Sequence, residues 1–436
     1  MIYRYDFRYT LAKIPVNTVL RLYFRRLVFT GKKENVSKKR PVILAPNHRN
    51  ALLDALMLVY SSYHVKQVVF LARADIFKKK FVAWLLKGLR IMPVFRIRDG
   101  VDNLDKNNEI FDNAARVLKK NNPLALFPEG RHNSKQSLLP IQKAVPRIVL
   151  PTEASLDFEL HSQIVPVAIY YRDVTAFLSD AYVTFGEPIE VSEYRDLYLE
   201  NQGLAINRLR QELEKRLQSM VVNIWNDKYY DEYRLAIDLN GDRLAEELFP
   251  DRKDDFLQAS LHIVRTLDGL FENETERFNK KIEDFKKAKR LLDENGLTSK
   301  DRLWKPSTGG NLFARFAALV FSAPVAFFGF INGIFPLLLN GKLKGLFKDK
   351  QFIPSARYAS GLFFVPLFNL IQSLLLGSIT GNWPLALGYF FAMPLAFYFY
   401  LRWREWWTLA ARDRKVHRFS KQFPGKWKQL VELIRV

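Results

Sequence analysis

Residues 42–54, Val42-Ile43-Leu44-Ala45-Pro46-Asn47-His48-Arg49-Asn50-Ala51-Leu52-Leu53-Asp54, pass from an apolar run through a polar turn into a helical pattern that continues to Tyr60. An unbroken apolar run closed by turn residues suits a strand buried on both faces. The same alternation recurs as far as Phe185. VVFLA from Val68, PLALF from Pro123, IVPVAIY from Ile164 and YVTF from Tyr182 read as strands, with helical patterns over 77–88 and 104–120 between them. Strands alternating with helices predict an α/β layer fold, its mixed or largely parallel sheet flanked by helices.

On one continuous helix, residues spaced as His48 and Asp54 are would point about 240° apart. They meet only if His48 lies in the turn ahead of a helix that holds Asp54, and Asn47 to Asn50 suits such a turn and cap. Asp54 can then accept one ring N–H and fix the tautomer, leaving the other nitrogen to take a hydroxyl proton. Taken alone, a structural histidine is the commoner reading of such a pair. A second cluster, Phe127-Pro128-Glu129-Gly130-Arg131-His132-Asn133, also follows an apolar strand. A carboxylate and cations beside a glycine at a strand end can orient a polyhydroxy phosphate; in isolation they form an ordinary Pro-Gly turn.

The two clusters in this order resemble the glycerolipid acyltransferase family, which includes lysophosphatidate and glycerol-3-phosphate acyltransferases. Asn47, His48 and Asp54 are read as its first signature, N-H-x-x-x-x-D, and Phe127, Pro128, Glu129 and Gly130 as the start of its third, F-P-E-G-T-R-S. The stretch from Gly88 through Ile91-Met92-Pro93-Val94-Phe95-Arg96 is similar to the second signature, and Ile164-Val165-Pro166-Val167 to the fourth. The blocks span residues 41–188. The third departs from the pattern: Arg131 and His132 stand where the family has Thr and then Arg, which bears on the acceptor more than on the reaction.

The resemblance implies that His48 is a general base oriented by Asp54, and that the acceptor hydroxyl attacks a thioester of coenzyme A or acyl-carrier protein directly. It implies that Arg96 binds the acceptor phosphate, with Arg131 and Lys143 assisting and Arg98 as a second cation. Glu129 and Gly130 orient the glycerol hydroxyls or the motif itself. The expected acceptor is 1-acylglycerol 3-phosphate in phospholipid biosynthesis, with glycerol 3-phosphate or another lysolipid as alternatives. A catalytically silent membrane scaffold is the reading from another class. No cofactor and no metal is expected, since the six histidines show no ligand spacing.

Composition agrees. With 67 basic and 45 acidic residues the formal charge is +22, which calls for an anionic partner. No zinc-finger spacing or RNA-binding aromatic signature accompanies it, whereas long uncharged apolar runs do, so a bilayer rather than nucleic acid is expected. The absence of cysteine excludes thiol nucleophiles and disulfides. No G-x-S-x-G elbow is present either, in keeping with direct transfer.

The expected organisation is an interfacial amphipathic helix over 1–35, the acyltransferase domain over 36–192, a charged helical region over 193–305, a membrane region over 306–405 and a basic tail over 406–436. Within the membrane region, 358–401 lacks charge and is long enough for a hairpin of two crossings. Pro324, Gly329, Gly333 and Pro336 interrupt 312–339, which reads as re-entrant. Basic residues after Leu339 and after Leu401 place both flanks in the cytoplasm. The charged N-terminal residues do not resemble a cleaved signal, so an integral membrane protein with a cytoplasmic catalytic domain is expected, at the inner membrane if the source is bacterial.

Overall fold

VILA lies at the heart of an eight-stranded sheet. The strands are β1 (Arg26–Thr30), β2 (Val42–Pro46), β3 (Val69–Arg73), β4 (Ile91–Val94), β5 (Leu124–Ala125), β6 (Gln163–Tyr171), β7 (Asp180–Phe185) and β8 (Ile189–Glu190). Their spatial order is β1-β7-β6-β2-β5-β3-β4, with β8 beside β6. The computed structural model describes residues 5–61, 67–78, 80–94, 106–346 and 352–435. The chain divides into two compact units, Met1–Asn223 with Asp349–Ser355, and Ile224–Lys348 with Ala356–Val436.

In the first unit β2 pairs in parallel with both β5 and β6, Ile43 lying opposite Leu124 on one side and Ile164 on the other. The strands β3 and β4 extend the parallel part, while β7 and β8 run antiparallel to β6. Every residue of β2 and of β6 is buried, and apart from Gln163 these strands are runs of apolar and aromatic residues rather than alternating, as a sheet covered on both faces requires. Helices Lys106–Lys119, Ala144–Ala154 and Gln202–Met220 close one core through Ala114, Val117, Ile148, Val149, Leu209 and Leu213.

Two boundaries differ from the sequence reading. The N-terminal helix is Phe7–Tyr23 and ends there; residues 26–30 form β1, paired in parallel with β7. RLVFT suits a pleated, half-buried edge better than a helix, so the helix expected over 1–35 gives way to a strand at Arg26. The first unit also extends past residue 192, the expected end of the catalytic domain. Leu209, Leu213 and Leu217 recur every fourth residue and bury on the sheet's helical layer, which puts the unit boundary at Asn223.

The second unit is helical. Helices Tyr230–Leu248, Asp255–Asn273 and Thr275–Glu294 precede the three helices that, among the described residues, are long and apolar enough to cross a membrane, Gly309–Asn332, Phe352–Thr380 and Trp383–Gln422. A cluster of Leu239, Ala288, Leu292 and Leu303 with Val416, Phe419, Leu430 and Ile434 ties the C-terminal residues to the charged helices. Gly309–Asn332 runs antiparallel to Trp383–Gln422: Arg315 pairs with Asp413, the Trp403 indole donates to the Leu319 carbonyl at 3.0 Å, and Gly329 lies against Ala396. Helix continues through Pro324 and Gly329, and the break falls at Gly333, after which Ile334–Leu346 begins.

Candidate active site

The ends of β2 and β5 lie side by side because the strands pair in parallel, so the turns that follow them open at one edge of the sheet. His48 and Phe127 emerge there and stack, ring centroids 4.1 Å apart and 25° from parallel. Asn47 anchors the first turn across β6: its side chain donates to the Ile169 carbonyl at 3.1 Å and accepts from the Ile169 N–H at 2.6 Å.

His48 stands in the turn and Asp54 in the first turn of helix Leu53–Ser61, the arrangement the spacing required. The His48 Nδ1 and Asp54 Oδ2 are 2.8 Å apart. The signature N-H-x-x-x-x-D, however, leaves four residues between its His and Asp, and this chain has five, Arg49 to Leu53. The longer turn brings its own donors: Arg49 N and Asn50 N both donate to Asp54 Oδ2 at 2.7 Å. The other carboxylate oxygen accepts from the Tyr171 hydroxyl at 2.7 Å. Asp54 is fully buried and the His48 side chain is 14% exposed. A carboxylate at Nδ1 holds the ring proton there, and among the described residues Nε2 has no hydrogen-bond partner.

Glu129 joins the two turns. Its Oε1 accepts from His48 N at 2.6 Å and its Oε2 from Leu139 N at 2.9 Å. Burial pushes its carboxyl up to about 7, against the two N–H donors that favour the charged form. Both oxygens therefore accept from the backbone. Asn133 N donates to the His48 carbonyl at 3.0 Å, and the buried Arg49 guanidinium reaches the carbonyls of Lys135 and Ser134. Gly130, at φ 69°, makes the turn that a side chain would strain. His132 presents its ring edge-on to His48, centroids 5.8 Å apart.

The remaining expected residues divide. Arg131 is exposed, as is Lys143, which precedes helix Ala144–Ala154; neither side chain has a hydrogen-bond or ion-pair partner among the described residues. Arg96 and Arg98 lie outside the described residues. Sequence reading missed Tyr171 and Arg49, and gave Asn50 only as part of the turn and cap. Tyr171 carried the one legible signal, a phenol at the end of a wholly buried strand, which must find a partner.

Residues 28–170 match the model of the Acyltransferase family. They form an acyltransferase-family domain. The matched stretch begins within β1 and ends one residue before Tyr171. The chain is 28% identical over 147 residues to glycerol-3-phosphate O-acyltransferase 2 of Saccharomyces cerevisiae, an alignment covering 34% of this chain and 19% of that protein. The chain thus spans about a fifth of the curated relative it matches. Among solved structures, the 1-acyl-sn-glycerophosphate (LPA) acyltransferase PlsC of Thermotoga maritima shares 18% identity and a TM-score of 0.34, over 50% of this chain and 82% of that one. The glycerolipid acyltransferase family expected from the sequence is the one these matches support.

Proposed function

We propose that the acyltransferase domain transfers a fatty acyl group from a thioester of coenzyme A or acyl-carrier protein to the hydroxyl of 1-acylglycerol 3-phosphate. The observation that carries this is the buried Asp54 carboxylate 2.8 Å from His48 Nδ1, which leaves Nε2 as a base toward the open edge of the sheet. The acceptor hydroxyl gives its proton to Nε2 while its oxygen bonds to the thioester carbonyl carbon. The tetrahedral oxyanion collapses, the C–S bond breaks, and the imidazolium returns the proton to the departing thiolate. Asp54 stabilises the imidazolium between the two steps. Arg131 and Lys143 supply cations for the acceptor phosphate, and Arg96 is assigned the same task on the family resemblance. Glu129 holds the His48 turn against the loop that carries Arg131. The yeast relative's name favours a second acceptor, glycerol 3-phosphate, with the same chemistry.

The test is release of free thiol by the purified full chain, with coenzyme A and acyl-carrier-protein thioesters and a panel of acceptors: 1-acylglycerol 3-phosphate, glycerol 3-phosphate and other lysolipids. His48→Ala should lower turnover by about 10²- to 10⁴-fold, the usual worth of general-base catalysis. Near-normal turnover in that variant, or no release with any glycerol-phosphate acceptor, overturns the reading.

The membrane region is assigned two full crossings and one re-entrant hairpin. Trp403 lies level with Leu319, so the charged stretch from Arg402 onward accompanies the first half of Gly309–Asn332. Only Leu319 to Asn332 accompanies the uncharged run, about 20 Å of helix at 1.5 Å per residue, against a hydrocarbon core about 30 Å thick. At its end the Asn332 carbonyl accepts from Gln372 Nε2 at 3.0 Å, and its side-chain oxygen from the Tyr389 hydroxyl at 2.6 Å. Such partners let a helix stop inside a bilayer. The chain ahead of Gly309, the basic stretch after Leu339 and the tail after Leu401 then share one side, the cytoplasmic one by their charge. On the first unit, Phe7, Leu11 and Ile14 form an exposed apolar row, with Trp84 also exposed and Arg8 over its ring; this suits the interfacial helix expected at the N-terminus.

A further inference from the structure

Helix Phe352–Thr380 opens with Phe352-Ile353-Pro354-Ser355. Its first turn has N–H groups without helical acceptors, so Pro354 sits where a missing donor costs nothing. Ser355 is buried, and its hydroxyl bonds outside its own helix. It donates to Asn50 Oδ1 at 2.6 Å and accepts from Leu52 N at 3.2 Å. Asn50 Oδ1 also accepts from Leu53 N at 3.2 Å, so Asn50 caps the helix that carries Asp54 and Ser355 braces the cap. Nearby, the Phe352 and His132 rings lie nearly perpendicular with centroids 5.2 Å apart, and the His132 ring meets His48.

We propose that Ser355 is a positioning residue for acyl transfer: by joining Asn50 to Leu52 it fixes the turn between His48 and Asp54. The inference rests on the base role proposed for His48. Without the Ser355 hydroxyl the fully buried Asn50 keeps Leu53 N on its Oδ1 but loses the Ser355 donor there, and Leu52 N loses its acceptor, so the turn must shift or leave a polar group unsatisfied. That turn holds Arg49 N and Asn50 N, both of which aim Asp54 Oδ2 at His48. The working site then includes a residue far outside the matched stretch 28–170.

Kinetics of the purified full chain test this with Ser355→Ala, Ser355→Thr and His48→Ala beside the unaltered protein. In Ser355→Ala, kcat should fall on the order of 10- to 100-fold, the scale of a misplaced catalytic group, with KM for both substrates within about twofold. Ser355→Thr keeps the hydroxyl and should recover most of the loss. Should Ser355→Ala fail to fold, Ser355→Cys keeps the side chain's place but donates only weakly, and the same loss of kcat is expected. Unaltered kcat in the Ala or Cys variant beside an inactive His48→Ala overturns the inference alone. An equal loss in the Ala and Thr variants, with KM raised, makes Ser355 a packing residue and overturns it too. Activity in His48→Ala overturns the base role, and this inference with it.

Discussion

Glu129 holds its carboxyl between two backbone N–H groups, of His48 and of Leu139, in a buried position. Burial raises it from 4.5 to about 7, so between those values the folded chain keeps a proton that the unfolded chain has lost. The folded state binds more protons in that window, and stability must fall as pH rises through it. The thermal midpoint of the detergent-purified protein should therefore decline from about pH 4.5 to about pH 7 and level off above. Glu129→Gln, which cannot titrate, should lack that decline while being less stable at low pH; an identical slope in the variant would refute the assignment. The residue was legible in the sequence as part of F-P-E-G, but its partners were not. Nothing in the spacing says that a carboxylate beside Arg131 turns inward to main-chain donors rather than outward to a glycerol hydroxyl.

Elements show a similar division. β2, β6 and β7 were legible because an unbroken apolar run of strand length, bounded by turn residues, suits a covered sheet. β5 is only Leu124–Ala125, shorter than PLALF suggested, because the chain leaves the sheet to form the motif turn. The helix pair in the membrane region depends on small residues. A Cβ on Gly329 would stand 2.1 Å from the Ala396 carbonyl oxygen, and one on Gly333 would stand 2.0 Å from the Phe397 ring. Close backbone approach of this kind is how helices associate without a hydrophobic driving force. Gly329→Ala should accordingly cost about 1–3 kcal/mol by overpacking, read as a lowered thermal midpoint in detergent. Gly361→Ala, where nothing lies within 4 Å, should not. Equal midpoints for the two variants would mean that the helices do not meet along this face.

For the whole molecule the decisive prediction is topological. If Gly309–Asn332 and Ile334–Leu346 enter and return, single cysteines at Ser37, Gly345 and Ser420 should resist an impermeant thiol reagent in intact cells, while one at Gly381 should react. The chain has no cysteine of its own to interfere. Ser37 and Gly345 found on opposite faces would make Gly309–Asn332 a full crossing. Sequence by itself determined the α/β layer class, the order of the motif blocks, the His48–Asp54 pairing across a turn, and the three apolar helices. Each follows from periodicity or chain-local geometry, which neighbours in sequence are enough to set. Tertiary structure alone decided that Tyr171 and two backbone N–H groups share Asp54, that β1 belongs to the sheet, that Gln202–Met220 completes the first core, and that Ser355 braces the turn beside His48. Those contacts join residues distant in sequence, and their pairing is set by sheet register and buried polar satisfaction, which only the folded chain brings together.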